Sequence, residues 1–208
     1  MPTMSFGAKK IPIKVCLLGD GAVGKTSLVK AFVQKGFQKD YLMTVGVDIT
    51  MKDIDVDNKR FKLSIHDIAG QERFQDFRSV FFNGANMAFC VFDVTRRQSL
   101  DSLADIWLEQ LLPTITDQNF TIFLIGNKID LEEIREIKSS ECELTYRRLK
   151  RKFNMLNWAG FIETSALNNL NVNEAFYEIT KSYIERSGLN IEKKIKKAGI
   201  KVEGGKSS

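Results

Sequence analysis

Eight residues near the start of the chain, Gly19-Asp20-Gly21-Ala22-Val23-Gly24-Lys25-Thr26, match the pattern GxxxxGK[ST]. In that pattern the glycines let successive backbone N–H groups converge on phosphate oxygens, and the lysine ammonium neutralises the β- and γ-phosphates. The threonine hydroxyl is placed to bind Mg2+. A plain glycine turn would not explain the Lys25-Thr26 pair, so the chemistry read here is phosphate binding. A second set, Asn127-Lys128-Ile129-Asp130, bears on the base. A carboxylate at Asp130 can accept from both the N1–H and the 2-amino group of guanine, a donor pair that adenine lacks. A third, Glu163-Thr164-Ser165-Ala166-Leu167, follows the last strand, where a backbone N–H can donate to guanine O6. Each set is weak by itself. Their order and their placement at strand ends behind a phosphate loop make coincidence improbable.

Such residues work only if regular elements hold them. Ile11, Ile13, Val15 and Leu17 alternate as in a strand, the glycines from 19 to 24 break the pattern, and Leu28, Val29, Phe32 and Val33 resume with helical spacing. A second strand spans about Val45 to Val56, Asp57-Asn58 supplies turn chemistry, and Phe61, Leu63 and Ile65 alternate with polar neighbours, which predicts an antiparallel hairpin. Met87 to Val94, apolar without a break as far as Phe92, and Ile122 to Ile125 are runs suited to parallel strands covered on both faces, and Phe161 with Ile162 suggests a short last strand. Leu100, Leu103, Ile106, Trp107 and Leu111 predict one helix; Phe176, Ile179 and Tyr183 predict another, opened by Asn171 and Glu174 as a cap. The expected fold is α/β and doubly wound: a mostly parallel six-stranded sheet with one antiparallel edge strand and helices on both faces. Ligands then sit beyond the strand C-termini.

Composition narrows the remaining possibilities. At 208 residues the chain favours one domain with an appendage: an N-terminal extension over 1–10, the domain over 11–186 and a basic, mostly disordered tail over 187–208. The longest apolar run, Met87 to Phe92, is far shorter than the ~20 residues of a membrane-spanning helix. No secretory signal or myristoylation site opens the sequence. Cys16, Cys90 and Cys142 form no CxxC pair, and read as core thiols of a cytoplasmic protein. A single histidine, His66, excludes a multi-histidine metal centre. The chain has 31 basic and 26 acidic residues, but six lysines against two glutamates lie beyond residue 187, leaving the body near neutral. No nucleic-acid partner is expected.

At this point the chain resembles the Ras superfamily of small GTPases, most closely its Rab branch, over roughly residues 11 to 186. The motifs that carry the resemblance are GDGAVGKT, Tyr41-Leu-Met-Thr44-Val-Gly-Val-Asp48, Asp67-Ile-Ala-Gly70-Gln71-Glu72, NKID and TSAL. It implies a phosphate-loop NTPase G domain that binds GTP or GDP with Mg2+ and hydrolyses GTP as a molecular switch, in membrane or vesicle trafficking. Phe37 is then implied to pack on the guanine, Lys128 to lie along its plane, and Ala166 to read O6 by its N–H. Ser27, Tyr41, Asn127, Ser165 and Leu167 are implied to complete the nucleotide site. Thr26, Thr44 and Asp67 would hold Mg2+, Gln71 would orient the attacking water, Gly70 would sense the γ-phosphate, and Lys25 would stabilise its charge. Gly21 leaves room for an incoming arginine. No arginine of the chain is positioned in sequence as a finger in cis, so a slow intrinsic rate and an external activating protein are expected, along with an exchange factor, effectors and a monomeric state. The alternative is a nucleotide-gated binding module with negligible hydrolysis.

Three features depart from the Rab pattern. His66 stands where a tryptophan is usual and, on the face of Lys62 and Ser64, reads as a partner-surface residue. The segment from Asp130 to Ser165 is long, with Tyr146-Arg-Arg-Leu-Lys-Arg-Lys152 preceded by five glutamates within 132–143, which suggests a solvated, salt-bridged helix or a dock for an acidic partner. Val202 to Ser208 contains no cysteine for prenylation, so either the sequence is truncated or the protein works without a lipid anchor. The tail's net charge of +4 supports only weak, transient contact with acidic membranes, with a Kd of roughly 1 mM at about 1 kcal/mol per charge.

Overall fold

Alternation along the strands decides the layers. In β1 (Ile11–Leu18), Ile13, Val15 and Leu17 are buried on one side of the sheet, while Cys16 and Leu18 are buried on the other. The same parity recurs in β4 (Met87–Asp93) and β5 (Thr121–Asn127), whose residues are buried without exception, as parallel strands covered on both faces must be. The structure is a computed structural model that describes residues 11–33, 46–70 and 78–197. The helix α1 (Lys25–Val33) covers the first face together with α6 (Val172–Lys197). Their contact is sealed by Phe32 stacked on Phe176, ring centroids 3.8 Å apart. Aromatic pairing of this kind contributes ~0.5–1.5 kcal/mol beyond the area buried.

The sheet runs β2-β3-β1-β4-β5-β6. β2 (Val47–Val56) and β3 (Lys59–Ile68) pair antiparallel across Asp57 and Asn58, both at positive φ (47° and 62°), the geometry of a two-residue hairpin turn. All other pairings are parallel. The expected mostly parallel sheet with one antiparallel edge strand is what forms. The connection from β1 leads to β2 and β3 on one side of β1, and β4 lies on the other side of β1, so the loops after β1 and β4 open into the crevice where such sheets take their ligands.

The second face is covered by α2 (Arg78–Phe82), α3 (Arg97–Ser102), α4 (Leu108–Leu111) and α5 (Ser139–Lys152). The single helix expected over 100–111 is in fact interrupted. Residues Leu103–Trp107 form a π-helical turn in which the N–H of Leu108 reaches the carbonyl of Leu103. Five-residue spacing admits one extra residue per turn, and Trp107 closes that turn as a buried side chain. The last strand, β6 (Asn157–Thr164), is longer than the two residues expected, because Gly160 and Glu163 interrupt its apolar run and hide its length. α6 continues to Lys197, ten residues beyond the expected tail boundary at 187; its sequence there contains no proline and is rich in good helix formers. Asn171, expected as a cap, instead donates its side-chain amide to the Glu163 carbonyl at 2.9 Å. On α5, Arg147 pairs with Glu143 at 2.6 Å and Glu141 with Arg97, in keeping with a salt-bridged surface helix. No helix among the described residues is long and apolar enough to cross a membrane.

Candidate functional site

The loop between β1 and α1 is shaped by two glycines that nothing else can replace. Gly19 sits at φ +136°, and a Cβ there would lie 2.1 Å from the Val91 carbonyl oxygen. Gly24 sits at φ +100°, and its Cβ would lie 2.2 Å from Asn127 Nδ2. Strain and collision both forbid a side chain. Gly21 differs: a Cβ would meet no protein atom within 4 Å, so any crowding there comes from a ligand or partner. The Lys25 ammonium, itself buried, donates to the carbonyls of Gly19 (2.6 Å) and Asp20 (2.8 Å). Ser27 lies half-buried in the first turn of α1, and Val23 is fully buried beneath the loop.

Beside the loop, the register of β1 against β3 sets Leu17 opposite Asp67, which brings this buried carboxylate to the start of α1. Its Oδ2 accepts a hydrogen bond from the Thr26 hydroxyl. A hydroxyl and a carboxylate are hard oxygen donors that fit Mg2+. Among the described residues no group of three or more His, Cys, Asp or Glu side chains could hold a metal ion, so Thr26 and Asp67 fit part of such an ion's shell and not all of it. Gly70 lies directly on the phosphate loop: a Cβ would stand 2.4 Å from both the Asp20 carbonyl carbon and the Gly21 nitrogen. Phe37, Tyr41, Thr44 and Gln71 lie outside the described residues.

The base side is assembled at the ends of β5 and β6 around one side chain. Asn127, 1% exposed, donates from Nδ2 to the Val23 carbonyl (2.9 Å), while its Oδ1 accepts from the Thr164 hydroxyl (3.1 Å) and the Ala166 N–H (3.3 Å). It therefore ties the phosphate loop to both guanine motifs. Asp130 Oδ1 accepts the Ser165 hydroxyl at 2.5 Å, and the N–H of Ile129 reaches the Thr164 carbonyl at 3.2 Å. Lys128 adopts φ +70° and pairs through Nζ with Asp93 Oδ2 at 2.6 Å. Leu167 is half exposed at the rim. All the described members of the expected site thus converge on one edge of the sheet.

Three residues of this edge were not anticipated from the sequence. Asp93 is buried and also accepts the Thr95 N–H (2.9 Å) and hydroxyl (2.7 Å). Its signal was available, since it ends a continuous apolar strand as Asp67 and Asn127 end theirs. Arg96 donates from Nη2 to the Gly21 carbonyl at 2.8 Å. Trp107 donates from Nε1 to Asp20 Oδ1 at 2.8 Å and carries the Lys25 ammonium 5.7 Å from its ring centroid. Arg96 was masked as one of a surface arginine pair, and Trp107 as one of an apolar stripe.

His66 directly precedes Asp67 but faces the other side of β3, cross-strand from the exposed Ile49 of β2. Its Nε2 meets the Ser64 hydroxyl at 3.0 Å, while its Nδ1 is buried without a hydrogen-bond partner. Burial, and secondarily Lys14, lowers its pKa to about 4, so the ring is neutral at pH 7. Burial likewise raises the Cys16 and Cys142 thiols to about 12, with a smaller contribution at Cys142 from Glu163, and the three cysteines are free and buried, as expected of core thiols.

Comparison with known proteins places these residues in context. The model of the Ras family matches residues 14–185. The chain is similar to the Ypt/Rab-type GTPase ypt7 of Schizosaccharomyces pombe, 36% identical over 182 residues that cover 86% of this chain and 85% of the relative. It is 39% identical to the GTP-binding protein YPTC5 of Chlamydomonas reinhardtii over 178 residues, 84% of this chain and 83% of that one. It is also 37% identical to the Ras-related protein Rab-1 of Theileria parva over 169 residues, 81% and 73% respectively.

Proposed function

Because the chain belongs to the Ras superfamily of small GTPases, in its Rab branch, we propose that it binds GTP and GDP with Mg2+ and hydrolyses GTP as a slow molecular switch in membrane trafficking. The observation that carries this reading is the meeting, at one sheet edge, of the Lys25 loop, the Thr26–Asp67 pair and the Asn127-centred guanine motifs.

Each residue then has a physical task. The loop N–H groups and Lys25 bind and orient the phosphates, with Lys25 exchanging its present carbonyl partners for the β- and γ-oxygens. Asp130 and the Ala166 N–H read the guanine edge, while Lys128 and Phe37 bracket its plane. Thr26, Thr44 and Asp67 would hold Mg2+, which when bound neutralises phosphate charge. Gln71 orients the attacking water and Gly70 donates its N–H to the γ-phosphate. The segments around Thr44 and Gly70 order on the γ-phosphate and relax once hydrolysis removes it. An activating protein, an exchange factor and effectors of unassigned identity act on the monomer. The protein is cytoplasmic, with transient, salt-sensitive contact to acidic membranes through its C-terminal lysines.

Single-turnover phosphate release from the GTP-loaded chain tests the turnover. Gln71→Leu is expected to bind GTP like the wild type but to release phosphate at least tenfold more slowly, because orienting a water acts in the transition state alone. Equal rates in the presence of an activating protein would remove Gln71 from the mechanism. Absence of release from the wild type would leave only gated binding.

A further inference from the structure

The phosphate loop is held from outside as well as from within. Two of its residues are gripped by side chains from the segment that follows β4. Arg96 Nη2 donates to the Gly21 carbonyl oxygen, and Trp107 Nε1 donates to the Asp20 carboxylate, each at 2.8 Å. Neither residue belongs to a nucleotide motif.

The first contact has a consequence fixed by covalent geometry. The Gly21 carbonyl and the Ala22 N–H share one planar, trans peptide unit, so they point in opposite directions. A guanidinium that fixes the carbonyl on the outer side of the loop therefore aims the Ala22 N–H at its inner side, where phosphates bind. Ala22 needs such restraint, because it occupies φ +63°, a conformation unfavourable to a residue with a Cβ. The support is rigid in its turn. The Arg96 N–H donates to the Asp93 carbonyl (3.0 Å), and the buried Ser99 hydroxyl donates to the Arg96 carbonyl (2.6 Å). The Asp93 carboxylate in the same turn pairs with Lys128, so one short segment braces the phosphate side and the base side together. Trp107, 1% exposed, reaches Asp20 from the end of the π-helical turn over Leu103–Trp107. Turns of this kind recur at functional sites.

We propose that Arg96, assisted by Trp107, is a positioning residue that presets the 21–22 peptide for phosphate binding and so governs nucleotide retention. It is not a finger in cis, since its hydrogen bond goes to a backbone carbonyl. The proposal rests on the nucleotide-binding reading above.

The full-length chain, loaded with a fluorescent GDP analogue and Mg2+, is compared with Arg96→Ala, Arg96→Lys and Trp107→Phe. Dissociation rates, the 31P spectrum of bound GDP and thermal unfolding are measured for each. Loss of a charge-assisted hydrogen bond is expected to speed GDP release by roughly tenfold in Arg96→Ala, with a shifted phosphate resonance. Arg96→Lys should recover part of both effects, and Trp107→Phe should release GDP a few-fold faster; a purely structural role would lower thermal stability without moving the phosphate resonance. Folded Arg96→Ala with wild-type release and an unshifted spectrum overturns the proposal alone. If Arg96→Ala does not fold, wild-type release and spectra in both Arg96→Lys and Trp107→Phe overturn it. A wild type that binds no GDP overturns the nucleotide reading, and this proposal with it.

Discussion

The proposed phosphate half and the proposed base half of the site are built by different means. Around β1 and α1 the principal groups are a cation and backbone dipoles: Lys25 rests on two carbonyls, and the Thr26 hydroxyl on Asp67. The two carbonyls under Lys25 are the partners that phosphate oxygens are proposed to replace, while Thr26 and Asp67 are proposed to share Mg2+. Around β5 and β6 the groups are stitched together by buried side chains, above all Asn127, whose amide makes three bonds to two different segments. The base half is thus a fixed template and the phosphate half a set of contacts awaiting exchange. Selectivity for the base and strength of phosphate binding should therefore be separable by mutation.

The largest effect is expected on the phosphate side. Lys25→Ala removes the only ammonium that touches the loop among the described residues, and should weaken GDP binding by about 10²–10³-fold, or ~3–4 kcal/mol. The residual binding should still prefer guanine over adenine nucleotides, and titration calorimetry with GDP and ADP checks both points. Next comes the complementary change, Asp130→Asn, which should reduce affinity for GDP by about 10²-fold and shift preference toward xanthine nucleotides, whose 2-oxo group suits an amide donor. If Asp130→Asn instead altered the response to phosphate number, measured as GMP against GDP, the division between the halves would fail.

A third variant strikes the seam. Asn127→Ala would strand the Val23 carbonyl, the Thr164 hydroxyl and the Ala166 N–H in a buried setting, with an expected loss of about 2–3 kcal/mol in unfolding free energy. Denaturant unfolding of the nucleotide-free protein reads this directly. Because the residue also braces the phosphate loop, nucleotide affinity should fall with stability, unlike the separable effects of Lys25 and Asp130.

The smallest effect concerns His66, which precedes Asp67 in β3 with its side chain on the opposite face of the strand. Its pKa is about 4 in the fold against 6.5 for an ordinary histidine, so the unfolded chain binds more protons between these values. Stability from this group is complete above about pH 6.5 and declines as the pH falls toward 4. Melting temperature should therefore drop less on acidification from pH 7 to 5 in His66→Gln than in the wild type. Equal pH dependence would show that the ring is solvated and free to protonate.

Much of this was legible in the sequence because the deciding signals are local. The glycine spacing of the phosphate loop, the unbroken apolar runs of β4 and β5, and the Asp57-Asn58 turn each specify their conformation within a few residues. The convergence of NKID with TSAL was also readable, since parallel strands deliver their C-termini to one edge. What escaped was set by tertiary contact. Trp107 has the helical spacing of a core residue, and that spacing does not reveal that its N–H reaches Asp20. Arg96 follows a strand and precedes another arginine, with nothing local to tell which of the two turns inward to Gly21. The length of β6 was hidden because an edge strand with half-buried residues lacks a continuous apolar run.

Base selectivity measured against intact phosphate chemistry tests the central claim most directly. The full-length chain, loaded with fluorescent GDP in the presence of Mg2+, is challenged with GTP, GDP, ATP and ADP in parallel. GTP and GDP are expected to displace the probe at near-stoichiometric concentrations, while ATP and ADP leave it bound at about thousandfold excess, because adenine offers no donor pair to Asp130. Displacement by ATP at the same concentration as GTP would contradict the account, since neither the Asn127 template nor Asp130 would then be reading the base.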